Sequence, residues 1–94
     1  MAFTFEWDKD KAKTNIRKHK VTFEEAKTVF NDPFLLTFPD LDHSDNEERY
    51  INIGMSSKKR VLIVIHTEWG QTIRLISSRK ATGFELRVYQ EGDL

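Results

Sequence analysis

The stretch RVLIVIHTEWGQTIRLISS, Arg60–Ser78, decides the fold. Its first part, RVLIVIHT, is nearly continuous in apolar and β-branched residues, which predicts a central strand buried on both faces. EWGQ turns the chain, and TIRLISS is the last strand. A connection that short forces the two strands to run antiparallel. On the other side, RYINIGM (49–55) alternates Arg49, Ile51, Ile53 and Met55 against Tyr50, Asn52 and Gly54. It joins the central strand through SSKK, a turn whose lysines sit at a hairpin tip. FLLTF (34–38) is a further short strand ended by Pro39, and DLDHSDNEE (40–48) is a polar loop.

Toward the N-terminus, FTFEW (3–7) has period two and predicts a short strand. Asp8 caps a helix through about Lys20. Its apolar stripe is thin, Ala12 and Ile16 with Asn15 and His19 beside them, and its other positions are mostly Lys or Arg. VTFEEA (21–26) carries a capping box, Thr22 with Glu25, and a hydrophobic staple, Val21 with Ala26. The second helix is expected to reach about Phe30, packing Phe23, Ala26, Val29 and Phe30, and to stop at Asn31–Pro33. RKATGFELRVYQE (79–91) predicts a closing helix that turns Phe84, Val88 and Leu86 or Tyr89 inward, with Gly83 weakening its first turn. The order β-α-α-β-β-β-β-α predicts one α+β domain spanning residues 1–94. Its helices are expected on one face of an antiparallel sheet of about four to five strands. The other face is partly open, and a site can lie there.

The chain has 94 residues and no formal net charge, 15 Lys/Arg balancing 15 Asp/Glu. The balance hides a segregation. Residues 1–20 carry six Lys/Arg against three Asp/Glu, net +3. Residues 21–48 carry one Lys against eight acids, net −7, and residues 49–94 carry eight Lys/Arg against four acids, net +4. Two basic ends that meet in space would make a local phosphate-binding surface that the total conceals. The chain has no cysteine, so disulfides and thiolate metal sites are excluded. Apolar runs fall well short of the roughly 20 residues that span a bilayer. MAFTFEWDKDK carries acids where a signal peptide is basic and apolar. A soluble protein of a reducing, intracellular compartment is expected.

Asp8 and Thr22 are caps rather than catalysts, and Trp7, Phe23, Val29 and Phe30 belong to the core rather than to a base-stacking platform. Asp40, Asp42, His43 and Asp45 suggest a metal loop, but no glycine and no second ligand pair accompany them, so a solvated loop is expected. Phosphate-loop, dinucleotide and serine-elbow motifs are absent. The cations remain, Arg74 in the last strand and Arg79 and Lys80 where that strand is expected to meet a helix N-terminus. Such a position is costly for cations unless an anion or carboxylate joins them. The structural alternative is an ion pair between Arg79 and Glu85. The functional one is a phosphate seat that Arg49 and Lys11 complete.

RNA carries its own nucleophile, the 2′-OH beside each phosphate. Its cleavage needs a base, an acid and fixed cations, and no metal. Residues 5–32, FEWDKDKAKTNIRKHKVTFEEAKTVFND, with DHSDNEERYINIG (42–54) and RLISSRKATGFELRVY (74–89), resemble the BrnT toxins of bacterial type II toxin–antitoxin systems. The matching positions include Trp7, Asp8, Lys11, Asn15, Lys18, His19, Phe23, His43, Glu48, Arg49, Arg74, Arg79, Lys80, Glu85 and Tyr89. The likeness covers nearly the whole chain. It departs at Lys20, where the family commonly has glycine. Either Lys20 takes the left-handed cap conformation or the helix ends differently.

The resemblance implies a RelE-like fold and a cytoplasmic endoribonuclease that needs no metal or cofactor and inhibits translation and growth. It also implies a hetero-oligomer with a BrnA-like, ribbon-helix-helix antitoxin. Operator DNA would be bound only through that complex. Arg49, Arg74 and Arg79 are then the cations for the phosphate, supported by Lys80. Lys11, Asn15 and Lys18 hold substrate. For proton transfer His19 and His66 compete, with Glu85 and Tyr89 as alternatives. The competing class is a non-catalytic module that binds nucleic acid or protein with the same surface.

Overall fold

The computed structural model describes residues 3–43 and 47–92. Five strands, β1 (Thr4–Glu6), β2 (Leu36–Pro39), β3 (Arg49–Met55), β4 (Val61–Trp69) and β5 (Thr72–Lys80), form one sheet in the order β1-β5-β4-β3-β2. β2 to β5 are the expected antiparallel meander. β1 joins it in parallel, pairing Phe5 with Ile73 at the edge of β5, so the sheet is mixed. The two helices after β1 carry the chain across the sheet to β2 at the opposite edge, so β1 and β5 are neighbours without a direct connection. Among the described residues no helix is long and apolar enough to cross a membrane.

Helix α1 (Lys9–His19) starts where Asp8 accepts the amides of Asp10 and Lys11. It ends on Lys20, which takes the left-handed conformation, φ 61°, with its amide on the Ile16 carbonyl. A β-carbon is disfavoured there, so a lysine fills a glycine position at the cost of some strain. Thr22 caps α2 (Phe23–Ala26) through the Glu25 amide. The chain then tightens into a 3₁₀ segment, Lys27–Asn31, instead of continuing as α-helix to Phe30. The Thr28 hydroxyl, 2.6 Å from the Glu25 carbonyl, competes there with helical bonding.

Helices α1 and α2 cover one face of the sheet. Val21, Phe23, Ala26 and Val29 pack on Leu62, Val64, Ile73 and Leu75, and Trp7 and Phe30 join them from the margin. Gly54 lets the 3₁₀ segment close in, since a β-carbon there would come within 3.1 Å of Val29. Glu25 is buried under the core, where Arg60 neutralises it and the Ser56 hydroxyl donates to it.

The closing helix, α3 (Gly83–Glu91), departs from expectation in two ways. It begins only after Thr82, which forms a capping box with Glu85, and Arg79 and Lys80 belong to β5. It also packs on the opposite face, where Val88 meets Ile53 and Ile63. Phe84, expected inward, is exposed. The odd-numbered residues of β4 thus face α3 and the even-numbered ones face α1 and α2. That double coverage explains why RVLIVIHT lacks alternation.

Candidate functional site

Helix α3 covers only part of its face, and the register defines what remains open. Ile53, Ile63 and Arg79 form one row across β3, β4 and β5. Ile51, Ile65 and Ser77 form the next, and Arg49, Thr67 and Arg74 the third. Arg74 and Arg79 are five residues apart, so a regular strand would turn them to opposite faces. A bulge in β5, with Ile76 as the extra residue opposite Ile65/His66, restores the parity and puts all three arginines on one face. From standard strand spacings, Arg49 and Arg74 lie about 10 Å apart across the sheet, and Arg74 and Arg79 about 13 Å apart along it.

The middle row opens into a cavity of about 410 Å³ lined by Asp40, Asp42, His43, Arg49, Ile65 and Ser77, among others. Ile76 and Ser77 also line a second cavity of about 280 Å³ on the side of α1, with Lys11, Lys18 and His19 around it. The bulge is therefore shared by two concavities with basic groups on both sides.

Arg74 and Arg79 are held by carboxylates. Arg74 donates to Glu6 at 2.7 Å and lies over the Trp69 ring. Arg79 makes two bonds to Glu85, at 2.8 and 2.9 Å, and Glu85 also accepts the Thr82 amide. Arg79 is the main reason that the Glu85 carboxyl drops to about 2. The ion-pair alternative for Arg79 is present, and neither Arg79 nor Lys80 stands at a helix N-terminus, because the strand runs on through Lys80. Both pairs remain partly exposed, with Arg74 at 31% and Arg79 at 41%.

The other expected site residues fall in several places. Lys80 pairs with Leu62 and so lies on the face of α1 and α2, away from the arginine rows. Tyr89 donates to Asp32 at 2.7 Å. Burial, with Asp32 adding to it, pushes its phenol up to about 12, so it holds its proton at the α3 end of the sheet. Lys11 and Lys18 are exposed on α1, and His19 is partly buried at its end, where the helix dipole favours cations.

Asn15 is buried and structural. Its amide donates to the Val21 and Ser78 carbonyls and its oxygen accepts the Ser78 amide. It stands in for a neighbouring strand where β1 has ended, so little is left to grip a substrate.

His66, expected to compete for proton transfer, lies on the face opposite the arginines. Asn52 donates to its Nδ1 at 2.7 Å, and its Nε2–H then donates to Glu68 at 2.9 Å. Tyr50 stacks on the ring and Phe30 meets it edge-on. Burial lowers its pKa, and the Glu68 carboxylate opposes that only in part. Both nitrogens are used, so His66 anchors the sheet.

The acidic loop contains a feature the sequence reading passed over. After β2, a single 3₁₀ turn, Leu41–His43, brings His43 back over Asp40, and its Nδ1 lies 3.2 Å from both Asp40 oxygens. The i,i+3 spacing of an acid and a histidine was the available clue. Asp45, the remaining member of the metal reading, lies outside the described residues. Among the described residues no three His, Asp or Glu side chains converge as metal ligands.

Comparison with known proteins follows the same outline. A family model described as "Ribonuclease toxin, BrnT, of type II toxin-antitoxin system" matches residues 7–85. The crystal structure of the Brucella abortus ribonuclease toxin BrnT is similar in fold, with a TM-score of 0.67 and 25% sequence identity. The match covers 86% of this chain and 99% of that one. Comparison with curated proteins gave no match.

Proposed function

The chain belongs to the BrnT family of ribonuclease toxins of type II toxin–antitoxin systems, and we propose that it cleaves RNA internally, without a metal, through the 2′-hydroxyl. The observation that carries this is the bulge-restored parity of β5, which sets Arg49, Arg74 and Arg79 on one face, with Arg49 at the edge of an open floor. A phosphodiester reaching the middle row would meet Arg49 first, with Arg74 and Arg79 able to turn from their acids toward the stronger charge of the transition state. Lys11 and Lys18 would guide the RNA backbone along α1, and His19 stands beside the bulge on that side. His66, Glu85 and Tyr89 are engaged elsewhere and serve the fold.

In the cytoplasm such an activity would stop translation and growth until a cognate antitoxin bound. We infer a small, DNA-binding, ribbon-helix-helix partner forming a hetero-oligomer that represses its own operon. A second reading has support of its own, since Glu6 holds Arg74 and Glu85 holds Arg79, as suits a module that binds without turnover.

One experiment separates the two readings. The purified chain is incubated with RNA, and the products are examined for new ends. Cleavage that leaves a 2′,3′-cyclic phosphate and a 5′-hydroxyl is the expected result, and Arg79→Ala should weaken it while the fold persists. A shifted band with intact RNA would establish the binding module instead.

A further inference from the structure

We propose that His43 is the general base of the cleavage reaction and that Asp40 is its positioning residue. The inference rests on the ribonuclease reading and assigns a role within that same site.

The placement is built by the backbone. The Asp40 amide donates to the Arg49 carbonyl at 2.8 Å, tying the loop to the first residue of β3. The 3₁₀ turn then folds His43 onto the Asp40 side chain. The pair is asymmetric in exposure, with the carboxylate at 12% and the imidazole at 68%. A buried acid behind an exposed imidazole is the arrangement that orients a base toward an incoming substrate. Because a carboxylate only accepts, the Nδ1 of a neutral His43 carries the hydrogen, which leaves the lone pair on Nε2. Among the described residues nothing bonds that nitrogen.

The other histidines differ. His66 has both nitrogens used, on the wrong face. Among the described residues His19 has no carboxylate fixing its tautomer. Only His43 lines the same cavity as Arg49 and Ser77, and the charged groups around it there are Asp40, Asp42 and Arg49.

The step balances without a further reactant. Nε2 takes the proton of the 2′-OH, and the 2′ oxygen bonds to phosphorus. The bond from phosphorus to the 5′ oxygen breaks, and that oxygen keeps the electron pair and takes a proton from water in the open cavity. The products are a 2′,3′-cyclic phosphate and a 5′-hydroxyl. Asp40 stabilises the imidazolium that forms, and Arg49 faces the charge that develops on the phosphate.

The test uses the purified full chain, a short RNA under single-turnover conditions, and the same RNA with a 2′-deoxy residue at the cleaved position as a binding probe. His43→Ala should lower the cleavage rate by about 10²–10⁴-fold, with probe affinity within twofold of wild type. Added imidazole should restore part of the rate, which it would not do for a merely structural loss. Asp40→Asn should lower the rate with probe affinity within twofold of wild type, because an amide can turn the ring to the wrong tautomer, and Asp40→Glu should restore part of it.

Cleavage by both His43→Ala and His43→Gln within twofold of wild type overturns the assignment and leaves the nuclease reading intact. A slow His43→Ala that imidazole cannot rescue, beside a His43→Gln of wild-type rate, overturns it equally. No cleavage by the wild-type chain overturns both.

Discussion

Beneath α3, the outer face of the sheet sets Ile53 and Ile63 against Val88, and Tyr89 has a fixed partner in Asp32. One row further along the same strands there is no covering helix. There Ile51, Ile65 and Ser77 floor a cavity edged by Arg49 and His43. The strands are shared, so the difference comes from where a nine-residue helix stops. Covered polar groups must pair internally, because an unpaired one loses its hydration without return. Uncovered ones keep water as an alternative and can exchange it for a substrate. Substitutions in the covered half should therefore act on stability, and those in the open half on chemistry.

The sharpest test is Arg49→Ala. It should reduce RNA cleavage by about 10²–10³-fold, the range for removing one fixed donor at a transition state, with little change in melting temperature. A large loss of stability with residual activity intact would break the division. In the covered half, Val88→Ala should cost about 2 kcal/mol of stability by denaturant titration, while cleavage per folded molecule is retained. Tyr89→Phe should cost about 1 kcal/mol for the lost bond to Asp32 and leave the cleavage rate unchanged. A slowed reaction would return Tyr89 to the catalytic candidates.

The Glu85–Arg79 pair gives a milder, pH-resolved test. Glu85 titrates at about 2 in the folded chain against an ordinary value of 4.5. Its contribution is therefore complete above about pH 4.5 and fades as the pH falls toward 2. The difference in melting temperature between wild type and Glu85→Gln should be largest near neutrality and close over that interval. A constant gap would place the effect of the substitution in packing rather than charge. The smallest effect expected is none at all. Chelation of divalent ions should leave cleavage by the purified chain unchanged, and loss of activity restored by an added ion would revive a metal role for the acidic loop.

Much of the scaffold could be read from local sequence. Caps at Asp8 and Thr22, the turn at Glu68–Gln71 and the apolar run of β4 rest on contacts between near neighbours or on buried area. Two elements misled. Arg79 and Lys80 resembled a helix start because Thr82 and Glu85, the true capping box, stand just beyond them. Phe84 looked like a core residue, yet α3 turns Val88 to the sheet instead. For the candidate site, residue identities were more legible than their grouping. Arg49 was marked by its place in an alternating strand. His66 was marked equally, and the register then put it behind the sheet.

Composition, periodicity and capping patterns by themselves determined an α+β domain, its strand order along the chain and the hidden charge segregation, because each depends on residues close in sequence. Only the tertiary structure decided which cations share a face and which histidine accompanies them. A single bulged residue, Ile76, reverses the parity of everything after it in β5. No local pattern encodes the bulge, since it is set by pairing between strands, whereas the contact of His43 with Asp40 leaves a local trace in its i,i+3 spacing and needs the tertiary structure only to set it beside Arg49.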